Sequence, residues 1–116
     1  MEKQYLFVGE KRSRTAIRMA VDWKSGRLAA KTLFQALSNA GIQPDKQLYV
    51  NLFKESYPQN EVDWQALRNI RAAQRMGLVI VGMGRLVQRE MRKADIPHLE
   101  LTHPAARGAI RATAVY

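Results

Sequence analysis

The chain has 116 residues, 47% of them hydrophobic, and carries 19 lysines and arginines against 10 aspartates and glutamates, a formal charge of +9. That length and apolar content suit a single folded domain, residues 1–116, with a modest core, and the charge makes a polyanion the natural partner. The absence of cysteine excludes disulfides, thiolate zinc sites and cysteine-ligated iron–sulfur clusters, and two histidines leave little for a His-rich metal centre, so neither metal nor cofactor is expected.

The first element is Tyr5-Leu-Phe-Val-Gly9, an uninterrupted apolar run that ends on a glycine. Such a run predicts a strand covered on both faces, as in a parallel sheet, and Gly9 permits a sharp turn at its end. Ligands of open α/β sheets bind beyond the carboxyl ends of strands. Glu10, Lys11, Arg12 and Ser13 therefore lie where the mouth of a site is expected; the alternative is a glycine turn with solvated charges. Residues Arg14 to Trp23 are basic with apolar insertions, which fits a short helix or a loop laid over the sheet. Lys11, Arg12, Arg14 and Arg18, with Trp23 nearby, make a tract suited to phosphates and a stacked base, unless this is a solvated loop with Trp23 tucked into the core.

A helix is predicted from Arg27 to Ala40, where Leu33, Leu37 and Ala40 recur at spacings of four and three and Gly41 supplies a stop. Pro44-Asp-Lys46 marks a turn. Gln47 to Phe53 reads as the second strand, with Asn51 near its end. A buried amide left without partners costs about 1–3 kcal/mol, so Asn51 either bonds a neighbouring loop or presents donors and an acceptor to a ligand. After a loop at Lys54–Asn60, the second long helix runs from Glu61 to Met76, with Asp63 as N-cap. Trp64, Leu67 and Ile70 are expected to turn to the core, with Arg68, Arg71 and Arg75 on another face.

Leu78-Val-Ile-Val81 is the third strand. Gly82-Met-Gly84 then turns the chain into a helix from Arg85 to Ala94, with Val87, Met91 and Ala94 inward and Arg85, Arg89 and Arg92 outward. This Gly-x-Gly lacks the third glycine of a dinucleotide fingerprint and a following Lys-Ser/Thr, so tight strand-to-helix packing is its simpler use. Ile96 to Leu101 is a short fourth strand with Pro97 at its start. Thr102-His-Pro-Ala-Ala-Arg-Gly108 follows, Pro104 suiting the first turn of a last helix. No apolar run approaches the roughly 20 residues of a membrane span, and no signal-like segment opens the chain; the expectation is a cytoplasmic protein without a membrane partner. Strands alternate with helices throughout, which predicts a three-layer α/β/α domain around a central four-stranded parallel sheet. Gly9, Asn51, Gly82 and His103 then share one sheet edge.

These pieces resemble the uracil-DNA glycosylase superfamily, nearest its thermophilic-type family. The matching segments are Val8-Gly-Glu-Lys-Arg-Ser13, Tyr49-Val-Asn-Leu-Phe-Lys54, Val79-Ile-Val-Gly-Met-Gly-Arg85 and Leu101-Thr-His-Pro-Ala-Ala-Arg107. The resemblance implies a DNA glycosylase-like repair hydrolase that binds uracil or another base in DNA, single-stranded or with the base flipped out, and splits its N-glycosidic bond. By motif, Glu10 positions water or contacts the sugar, Asn51 reads the base edge, and His103 stabilises charge developing on uracil O2. Trp23 or Phe53 would stack on the base, and Lys11, Arg12, Ser13, Arg14 and Arg107 would hold phosphates. The sequence departs from the family where Lys11-Arg12-Ser13 replaces a proline-glycine pair, and the family's cluster cysteines have no counterpart. The alternative is a non-catalytic module of the same fold that binds a nucleotide, a nucleic acid or a protein.

Overall fold

A computed structural model describes residues 3–20, 22–23, 29–56, 59–102 and 112–115. Four strands are parallel neighbours: β1 (Tyr5–Gly9), β2 (Leu48–Asn51), β3 (Val79–Met83) and β4 (Leu99–Leu101), in the order β2-β1-β3-β4. Register pairs Gly9 with Asn51, Val8 with Gly82 and Gly82 with Glu100. A fifth strand, β5 (Ala112–Val115), lies antiparallel on β4. The sequence reading did not contain this strand. The last helix it placed after Pro104 falls on residues 103–111, outside the described ones.

Alternation along β1 divides the interior into two layers. Leu6 and Val8, with Ile80, pack against Leu67 and Ile70 of α3 (Trp64–Arg75) and against Val87 and Met91 of α4 (Arg85–Lys93). Phe7, with Val81 and Met83, packs on the other face against Leu33 and Leu37 of α2 (Ala29–Asn39). Helices therefore cover both faces of a parallel sheet, as the alternating pattern predicts. The first basic segment forms a short helix, α1 (Arg14–Met19), capped by the Ser13 side chain on the Ala16 amide at 3.0 Å.

Several boundaries move for identifiable reasons. β2 starts at Leu48 because the buried Gln47 side chain accepts from the Tyr5 amide at 2.8 Å and donates to the Gln43 carbonyl. β3 runs on through Gly82 and Met83; the turn falls at Gly84, whose φ of 93° suits glycine. A Cβ on Gly82 would stand 2.4 Å from Met91 Cε and 3.2 Å from His98 Cδ2, so this glycine lets α4 lie close on the sheet. Asp63 caps α3 as expected, accepting from the Gln65 and Ala66 amides. Trp64 does not turn inward: it is 67% exposed, while Ala66, Leu67 and Ile70 are buried. At about 100° per residue, Trp64 lies roughly 110° from the centre of that apolar stripe.

Candidate functional site at the carboxyl edge of the sheet

The order β2-β1-β3 sends successive crossovers in opposite directions from β1. That makes the carboxyl ends of β1 and β3 a topological switch point, where ligands of open α/β sheets bind. β1 ends there on Gly9, and β2, on the side of β1 away from β3, ends on Asn51. The Trp23 indole lies across both: its Nε1 donates to Asn51 Oδ1 at 2.8 Å, and a Cβ on Gly9 would stand 2.7 Å from Trp23 Cζ2 and 2.9 Å from Asn51 Oδ1. Only glycine leaves room for that contact. The indole also stacks on Tyr49, centroids 6.1 Å apart, and Tyr49 stacks in turn on Phe7. Trp23 is thus the outermost ring of an aromatic column on the α2 face.

The hydrogen bond fixes how the Asn51 amide is turned. An indole N–H only donates, so it must meet the amide oxygen. The amide NH₂ then points elsewhere, with two donors to offer. Glu10 follows directly after β1 and is half-buried. Its backbone carbonyl accepts from Phe53 N at 2.9 Å, which locks the strand end in place. Among the described residues, no side-chain hydrogen bond or ion pair uses its carboxylate.

The neighbouring cations have other occupations. Lys11 Nζ donates to the backbone carbonyls of Ser56 and Gln59. Arg12 forms a two-pronged ion pair with Glu55, its Nη2 lying 2.8 Å from Oε1 and its Nε on Oε2. That hydrogen bond lowers the Glu55 carboxyl below its ordinary pKa, and the same bond raises Arg12. The two cations clip the loop between Lys54 and Glu61 to the first turn. The base of that loop is closed by Lys54 N on Glu61 O, Asp63 N on Leu52 O and a bridge between Phe53 and Val62.

These contacts change part of the sequence assignment. Phe53 is a core residue, 5% exposed among Leu52, Val8 and Leu67, and has no face to offer a base. Lys11 and Arg12 are engaged as two loop clips and Ser13 as a helix cap. Arg14 is exposed on α1. His103 and Arg107 lie outside the described residues. Asn51 and Trp23 do come together, and Glu10 follows Gly9 at the same sheet edge. Nothing in the sequence paired Trp23 with Asn51, since the two are 28 positions apart.

Two polar clusters stabilise the rest of the sheet. The buried Gln88 amide donates to the Gly82 and Leu101 carbonyls, both at 3.0 Å, tying β3 to β4 near their carboxyl ends. Beneath α4, Glu100 accepts from Arg92 and from His98 Nε2 at 3.1 Å, while His98 Nδ1 meets the Ile96 carbonyl at 2.7 Å. Both ring nitrogens of this buried histidine therefore have a polar partner. A cleft of about 240 Å³ opens beside Val79, Pro97 and His98, at the amino-terminal ends of β3 and β4. It lies on the opposite edge from Gly9 and Asn51. No group of three or more His, Asp or Glu residues among the described ones is arranged to hold a metal ion. No helix among the described residues is long and apolar enough to cross a membrane. Comparison with family models, curated proteins and solved structures returned no match.

Proposed function

We propose that the carboxyl edge of β1 and β2 is a nucleobase site, and that the chain is a cytoplasmic DNA glycosylase-like protein acting on uracil or another base in DNA. The observation that carries this reading is the Gly9–Trp23–Asn51 contact, which holds an amide with its NH₂ directed away from its own anchor, next to the half-buried Glu10. A pyrimidine carbonyl is the complementary acceptor. In hydrolysis, the bond between the sugar C1′ and the base nitrogen breaks, water supplies hydroxide to C1′, and the base leaves with the proton. Glu10 orients that water; Asn51 holds a carbonyl on which negative charge grows, an electrostatic contribution that strengthens toward the transition state. His103 is the group that the resemblance assigns to uracil O2.

The test is release of uracil from single-stranded uracil-containing DNA by the purified chain, with Glu10→Gln and Asn51→Ala as controls. Release by the wild type that either substitution lowers at least 100-fold supports the reading. No release at large protein excess, with DNA binding intact, leaves the second reading: a non-catalytic module of the same fold. That alternative has its own observation, since the Asn51 oxygen already serves Trp23 and the Lys11 and Arg12 head groups already hold the loop.

A further inference from the structure

The outer face of α3 combines two features that the site at the strand ends does not use. Trp64 is 67% exposed, an unusual state for the largest apolar side chain. Arg68, Arg71 and Arg75 follow at i+4, i+7 and i+11, and all three are exposed. At about 100° per residue the four positions fall within a band roughly 60° wide, rising about 16 Å along the helix. They make one straight stripe: an aromatic plane, then three guanidinium groups.

Comparison with α4 separates this stripe from an ordinary solvated face. On α4 the cations are largely neutralised: Arg89 and Lys93 pair with Glu90, and Arg92 pairs with Glu100. α3 contains no acidic residue, and none of its arginines forms an ion pair among the described residues. Arg71 spends one Nη2 donor on the Ala94 carbonyl at 3.2 Å, which leaves four N–H groups. An unneutralised row of arginines attracts a polyanion, and guanidinium forks match phosphate in geometry. The indole adds a requirement that phosphates alone do not meet, namely an accessible aromatic face, and only unpaired bases offer one. The stripe also begins close to the candidate site. Asp63, the residue before Trp64, donates from its amide to the Leu52 carbonyl, one residue beyond Asn51.

We propose that Trp64, Arg68, Arg71 and Arg75 form a track for single-stranded nucleic acid, with a base stacked on Trp64 and successive phosphates on the arginines. The track deepens the proposed function by naming where the flanking strand runs, and it rests on that reading only for the identity of the strand's target base.

The experiment measures anisotropy of a labelled thymidine 12-mer, which contains no uracil, against the full chain over a range of salt. Trp64→Ala weakens binding roughly 5- to 150-fold, the range for loss of one base–aromatic stack, and Trp64→Phe restores most of it. Arg68→Gln/Arg71→Gln/Arg75→Gln makes the slope of log K against log salt shallower by about 2, from roughly 0.7 per phosphate on a single strand. An abasic 12-mer keeps the arginine-dependent slope and loses the Trp64 dependence. Wild-type affinity in Trp64→Ala, an unchanged slope in the triple variant, equal affinity for duplex, or equal competition by polyglutamate, which would indicate an acidic protein partner, each overturns the proposal. Asn51→Ala serves as the independent arm. If it abolishes uracil release while the stripe variants bind like wild type, the track fails and the base site stands; the converse result fails the base site alone.

Discussion

Replacing Gly9 by alanine drives a methyl group into the contact on which the candidate site is built. The new Cβ would lie 2.7 Å from Trp23 Cζ2 and 2.9 Å from Asn51 Oδ1. Carbon atoms rest comfortably at about 3.5–4.0 Å, so the indole must retreat by nearly 1 Å. Its bond to Asn51 starts at 2.8 Å, and a retreat of that size takes it past hydrogen-bonding range. Losing the bond costs about 1 kcal/mol. Disturbing the stack on Tyr49 brings the total to about 2 kcal/mol, within the usual range for overpacking. At roughly 4 °C per kcal/mol for a domain of this size, Gly9→Ala lowers the Tm by about 8 °C. The decisive assay is a double-mutant cycle in urea. In a Trp23→Leu background the indole is gone and the Asn51 amide is released to turn aside, so the same alanine costs under about 0.5 kcal/mol. An equal cost in both backgrounds, or no cost in either, would refute the packing argument.

Other outcomes follow from the same coordinates. Burial, with a smaller contribution from the Asp45 charge, pushes Tyr49 up to about 12, and its hydroxyl donates to the Pro44 carbonyl at 2.6 Å. Ultraviolet titration should show one tyrosine ionising near 12, a step that Tyr49→Phe removes. Because this folded-state value lies above the unfolded one of about 10, its contribution to stability is intact below that pH and is lost as the pH rises through about 12. Glu55 has the opposite sign. Its lowered value means that the Arg12 clip contributes above the ordinary carboxylate range and is lost as the pH falls through the folded-state value. Limited proteolysis between residues 54 and 61 should therefore accelerate in acid, and Glu55→Gln should show the fast rate already at neutral pH. Glu100→Leu removes the buried carboxylate that His98 and Arg92 share, and urea denaturation should register a loss of about 1–3 kcal/mol. A loss under about 0.5 kcal/mol would refute a stabilising role for this cluster.

Legibility in the sequence tracked how local each determinant was. The apolar run of β1 and the Asp63 cap are decided within a few residues and stand where the pattern puts them, and β3 stands there too but runs on two residues further. The gathering of Gly9 and Asn51 on one edge was also legible, because parallel strands joined by helices deliver their carboxyl ends to the same side. Side-chain partnerships were not. Phe53 looks like a strand-end aromatic, but its bridge to Val62 turns it into the core. Lys11 looks like a phosphate ligand, yet carbonyls 45 and 48 positions away take its ammonium. Trp64 matches the i, i+3, i+6 spacing of a buried stripe, but Ala66 and Ala73 shift the centre of that stripe away from it. Small residues decided that face, and they carry little weight in a pattern read by hydrophobicity. β5 is four residues long and gave no periodicity to read.

β1 sits between two partners that are synthesised long after it. Leu6 aligns with Leu48, 48 − 6 = 42 positions later, and with Ile80, 80 − 6 = 74 positions later. As the chain emerges from a ribosome, one side of this apolar strand waits without its neighbour until about two-thirds of the polypeptide has followed. Such nonlocal pairing slows folding and leaves strand edges open to association with other chains. Helix hydrogen bonds close within four residues and need no such wait, whereas β1 gains its second neighbour only when β3 arrives, and β4 and β5 extend the sheet after that.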